Sequence, residues 1–125
     1  MPKRSPLKSA EFALRKAALK YPQATEDFPW GHRSFKIKGK LFLIIGGDKT
    51  TMTVTAKLPV TGRQALSLPF AKPTGYGLGK SGWVTASFTA KDAIPIELLE
   101  DWMDESYRAI APKKLVQKLN SKVED

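Results

Sequence analysis

The chain has 125 residues, no cysteine and a formal net charge of +9 at pH 7. Without cysteine there are no disulfides, thiolate nucleophiles or Cys-based zinc sites, which suits a cytoplasmic protein. The longest apolar run, Leu41 to Ile45, is far too short to span a bilayer, and no apolar stretch follows Lys3, Arg4 and Lys8 to make a signal peptide.

The length is that of one domain over residues 1–125, able to bury roughly two-thirds of its unfolded surface. Residues 1–6 read as a loose tail. Leu7, Ala10, Leu14, Ala17 and Tyr21 recur at helical spacing, which predicts a helix over 7–20 stopped by Pro22. Arg33 to Lys38 alternates, turns at Gly39 and continues as Lys40 to Ile45. Gly46-Gly47-Asp48 reads as a second turn, and Thr51 to Lys57 alternates again. These segments predict an antiparallel meander. Thr61 to Leu68 suggests a short helix, and residues 69–82, with two prolines and four glycines, a long loop. Trp83 to Phe88 is a further strand. Pro95 opens a helix carrying Ile96, Leu99, Met103, Ser106 and Ile110 on one side. After Pro112, residues Leu115, Val116 and Leu119 suggest a last short helix, within a C-terminal extension over 114–125.

Strand parity separates two faces. Phe35, Ile37, Met52, Val54, Ala56, Val84, Ala86 and Phe88 share one side of their strands. Ser34, Lys36, Lys38, Thr53, Thr55, Lys57, Trp83 and Thr85 share the other. Helices are therefore expected on one face, and an open face of lysines, hydroxyls and a tryptophan on the other. The expected fold class is α+β, a two-layer sandwich with an antiparallel sheet of about five strands and its helices on one face.

The charge is uneven. Residues 1–60 hold twelve basic against four acidic side chains, whereas residues 61–125 hold nine against eight. Six of those acids fall within residues 91–105, which predicts an acidic helix opposite a basic side. A polyanion, DNA above all, is the expected partner, with no membrane and no partner subunit.

Gly77-Leu-Gly-Lys-Ser-Gly82 matches the Gly-x-Gly-x-x-Gly pattern, but a dinucleotide site needs a strand before it and a helix after it, and here a loop precedes and a strand follows. Gly79-Lys80-Ser81 resembles the end of a P-loop, but Thr74 stands where the first glycine is required. A turn presenting Lys80 to an anion is the better reading. His32, the only histidine, has neither a serine and carboxylate arrangement nor a set of metal-binding partners around it, so a structural or ligand-contacting role is expected. Glu26 and Asp27 are expected to cap a turn or pair with Arg33. No cofactor, metal or catalytic residue is assigned. The candidate binding set is Lys36, Lys38, Lys57 and Lys80 for phosphates, with Trp30, His32, Arg33, Tyr76 and Trp83 as an aromatic and polar floor. Trp30, Tyr76 and Trp83 are equally open to a packing role.

Tyr21-Pro22, Thr25-Glu-Asp-Phe-Pro-Trp-Gly-His32, Phe35-Lys36, Gly39-Lys40, the Gly-Lys-Ser-Gly-Trp-Val run over 79–84 and Glu105-Ser-Tyr107 resemble the MmcQ/YjbR-like family of small bacterial proteins. The resemblance spans residues 7 to about 113. It implies a two-layer sandwich similar to secretion chaperones and to double-wing DNA-binding domains, and hence a non-enzymatic DNA-binding role. The alternatives are a protein binding a small anionic ligand, or an enzyme, through the same residues, and a chaperone-like module using the sheet or the acidic helix.

Overall fold

Leu7, Ala10, Leu14 and Ala18 form the buried stripe of the first helix, α1 (Pro6–Leu19). The helix belongs to a computed structural model that describes residues 6–28, 32–75 and 78–124. Two tight turns close α1 ahead of Pro22, where helical backbone is disfavoured. Six strands follow: β1 (Ala24–Asp27), β2 (Arg33–Ile37), β3 (Lys40–Gly47), β4 (Thr51–Lys57), β5 (Ala71–Pro73) and β6 (Trp83–Thr89). They form one sheet in the order β1-β2-β3-β4-β6-β5, with every neighbouring pair antiparallel. The helices α2 (Gly62–Ala65), α3 (Ile96–Ile110) and α4 (Lys113–Glu124) complete the chain.

The α+β class and the one-sided helix layer agree with the sequence reading. Helix α3 packs on β3, β4 and α1, and α1 on β1 and β4. Beneath them lie Phe35, Ile37, Val54, Val84, Ala86 and Phe88, all buried as parity requires. Six strands are present where about five were expected. The additional pairing comes from β1 and β5, two short strands of largely polar composition, and β5 falls inside the segment read as a loop. Gly46 and Gly47 are strand residues rather than a turn: Gly46 pairs with Thr53 and Gly47 with Met52. The reversal lies beyond them, where Asp48 accepts hydrogen bonds from the backbone and hydroxyl groups of Thr50 and Thr51. The expected helix over 61–68 contracts to α2. Among the described residues, no helix is long and apolar enough to cross a membrane.

Two local features set the register. Lys38 and Gly39 have φ of 52° and 77° and connect the paired residues Ile37 and Lys40. This two-residue turn has the handedness that matches the twist of the flanking strands. Between β2 and β3 the pairing steps from Phe35 with Leu43 to Lys36 with Leu41, skipping Phe42. That bulge allows consecutive residues, Phe42 and Leu43, to be fully buried together. Phe42 meets Tyr107 edge-on at 5.3 Å between ring centroids. Its carbonyl accepts a hydrogen bond from the Ser106 hydroxyl, which itself accepts the Lys57 N–H at 2.9 Å. Ser106 thus bridges β3 and β4 one position beyond their last pair, Leu43 with Ala56.

Candidate nucleic-acid interface

Directly paired residues in an antiparallel sheet project to the same face. Across the outer face, away from α1 and α3, Ser34 pairs with Ile44, Ile44 with Thr55, Thr55 with Thr85, and Thr85 with Lys72. Lys36, two residues on from Ser34, and Lys57, paired with Trp83, point the same way. Lys36, Lys57 and Lys72 therefore share one face. Between them the hydroxyls of Thr55, Thr85 and Thr74 are linked in a chain, each step 2.9 Å. Ser34 and Thr55 are only 5% and 6% exposed, so the centre of this face is a filled floor with lysines at its margins.

The other expected site residues fall in different places. Lys36 lies 3.7 Å from Asp27, the one acid among these outer-face positions. Lys38 is exposed, but at the tip of the β2–β3 turn rather than in the strand. Lys80 is exposed in a single 3-10 turn, Leu78–Ser81, packed beside β5 and β6. His32 is exposed just before β2; a methyl group added at Gly46 would lie 2.5 Å from its Nδ1 and 3.2 Å from Thr53 Oγ1. Close approach of the imidazole therefore requires glycine at Gly46. Trp30 and Tyr76 lie outside the described residues.

Two expectations need correction. Trp83 is on the outer face by register but only 9% exposed, so it offers little ring surface for a base to stack on. Parity identifies a face but not what folds over it. Arg33 is not part of the outer floor. It pairs with Ile45 and shares parity with Phe35, which turns it toward the helices. There its Nε donates to Glu11 on α1 and its Nη1 to Glu26 at 2.9 Å. Arg15 Nε donates to both Glu26 oxygens at 2.9–3.0 Å. Burial pushes the Glu26 carboxyl up, but hydrogen bonds from Arg15 and Arg33, and their charges, hold it below the usual carboxylate range. Partial burial likewise disfavours the Arg33 cation, and Glu11 and Glu26 outweigh that, raising its pKa. Glu26 does pair with Arg33, as expected, while Asp27 accepts the Phe28 N–H at 2.8 Å.

The acidic helix serves the opposite layer. Asp104 accepts from the Tyr21 hydroxyl at 2.9 Å and from Arg108 at 2.6 Å. Burial, then Asp104, raises the Tyr21 pKa. Glu105 accepts the N–H groups of Val60 and Thr61 and the Thr61 hydroxyl. Tyr107 donates to the Pro22 carbonyl at 2.7 Å. Each member of Glu105-Ser106-Tyr107 thus ties α3 to a different segment, and this motif is a fastening of the fold. The sequence reading missed Glu11 and Lys72, the latter because its strand looked like loop.

An open antiparallel sheet with helices on one side and a lysine-bordered hydroxyl face on the other defines an α+β two-layer protein. The YjbR family model matches residues 19–109, and the chain belongs to the YjbR family. It is also similar to the crystal structure of the Deinococcus radiodurans protein DR2400, a DUF419 domain. The two are 28% identical, with a TM-score of 0.60 over 78% of this chain and 75% of that one. No curated protein matches it.

Proposed function

We propose that this protein binds DNA through the outer face of its sheet, as a cytoplasmic monomer. One observation carries the reading: Lys36, Lys57 and Lys72 share that face by register, while the acids of α3 lie on the helix side. The molecule is therefore polar in charge, and a polyanion approaching it is attracted to one side. The near-complete covering of Ser34 and Thr55 also favours a broad polymer over a ligand that must be enclosed. Phosphate oxygens would meet the lysines, and half-buried hydroxyls such as Thr53 would add hydrogen bonds that position the backbone without reading bases.

The test is binding to duplex DNA, single-stranded DNA and heparin over a salt series. Each neutralised phosphate contributes roughly −0.9 to the log–log slope on duplex DNA. Replacing Lys36, Lys57 and Lys72 together by Ala is expected to weaken all sequences about equally and to flatten the slope by roughly 2–3 units. Replacing the exposed Lys113 and Lys114 of α4 is expected to change neither. A flat salt response, or no binding at low salt, rejects the mechanism.

A further inference from the structure

A cleft of about 300 Å³ opens on the helix side, between the first turns of α1 and the Gly47 end of β3. Its apolar floor is Leu7, Ile45 and Met52, and Phe28 and Arg33 stand beside it. Phe28 is 53% exposed and Phe12 41%, yet both flank the same guanidinium, with ring centroids 4.8 and 5.9 Å from Arg33 Cζ. Single exposed apolar side chains are ordinary; here two aromatics sit on one cation, and Phe28, which also lines the cleft, offers an exposed ring for stacking. Glu11 and Glu26 engage Nε and Nη1, which sets the plane of the guanidinium. Nη2 makes no hydrogen bond among the described residues. At the mouth, Asp48 is engaged by Thr50 and Thr51, whereas Lys49 is exposed and has no ion pair among the described residues. Lys8 adds a third positive charge to the lining, beside Arg33 and Lys49.

We propose that this cleft binds a nucleotide-class small molecule, a flat heteroaromatic ring carrying an anionic group. The ring lies against Phe28, over the apolar floor. The anion meets Lys49 and Arg33 Nη2. The size is right for one such ring with its substituent and too small for a folded segment, and an apolar lining with few polar groups is usual for ligand sites. The site is on the opposite side of the sheet from Lys36, Lys57 and Lys72, so it stands apart from the proposed DNA face.

The probes are adenosine, guanosine, cytidine and uridine with their 5′-monophosphates, titrated against labelled protein and followed by backbone amide shifts. At least one monophosphate is expected to bind saturably, with shifts at Phe28, Gly47 and Lys49, and its nucleoside more weakly. Phe28→Ala, at a largely exposed position, is expected to weaken binding by roughly tenfold, the size of one base–aromatic stack. Lys49→Ala should remove the advantage of the phosphate, and Lys57→Ala should leave the affinity unchanged. The proposal is overturned if no monophosphate saturates, if Phe28→Ala binds as well as the parent, or if the shifts map to the outer face. Failure of DNA binding in the salt series leaves these outcomes unaffected.

Discussion

Glu26 shows how one side chain links three elements, since its carboxylate on β1 is shared by Arg15 of α1 and Arg33 of β2. Its folded pKa is below the ordinary value, so its contribution is fully present above the unfolded pKa and is lost as pH falls through the folded one. Glu26→Gln is expected to cost about 1–3 kcal/mol near neutral pH, the range for hydrogen bonds to charged groups and their orphaned partners. In strong acid the parent should lose that advantage. Urea unfolding of both proteins near pH 7 and near pH 2 checks this; an equal gap at both would remove the charge from the explanation. Trp83 makes a contrasting residue-scale case. Its low exposure predicts that Trp83→Ala costs about 3–5 kcal/mol of stability, with DNA affinity of the remaining folded protein little changed. Thermal melting and binding on the same variant separate packing from stacking, and an unchanged melt with lost single-strand binding would restore a stacking role.

Among the elements, the long alternating strands were readable because a period of two leaves little choice about which side meets the helices. Phe35, Ile37, Val54 and Phe88 are buried accordingly. Parity with Phe35 puts Arg33 on the inner side as well, although it was expected in the outer floor; the pairing with Glu26 was foreseen, but the partner on α1, Glu11, is one that sequence distance hides. Strands β1 and β5 were not readable. They are four and three residues long, and Pro73 speaks against a strand except at an edge, which is where β5 lies. The bulge at Phe42 was hidden too, because five consecutive apolar residues conceal a slip of one position. The Phe42 carbonyl there and the Lys57 N–H both depend on Ser106, so Ser106→Ala should strand a buried carbonyl and a part-buried N–H and cost about 1–3 kcal/mol. Denaturant unfolding measures it, and a cost near zero would mean that water replaces the hydroxyl.

At the scale of the whole molecule, uneven charge along the chain becomes uneven charge in space, because the basic first half supplies most of the sheet and the acids cluster on a helix of the other layer. The candidate face was legible to the extent that Lys36 and Lys57 share it by parity. Lys72 joined it only through a strand pairing, and the burial of Trp83 is something no periodicity encodes. Charge polarity of this kind bears on encounter as much as affinity. If DNA is the partner, association should be fast at low ionic strength and fall steeply as salt screens the field over about 10 Å.

The three fastenings of α3 also bear on the lifetime of the folded state. Glu105, Ser106 and Tyr107 reach partners 44, 49, 64 and 85 residues away along the chain. Closing such large loops is entropically expensive, so these bonds should form after the meander has paired and the rate-limiting step has passed. The loss in Ser106→Ala should then fall on one side of the barrier, speeding unfolding while leaving refolding nearly unchanged. Stopped-flow measurements in both directions would show it, and slowed refolding would instead put α3 in the folding nucleus. On this view the helix acts as a late-closing latch, setting how long the native state persists rather than how quickly it is reached.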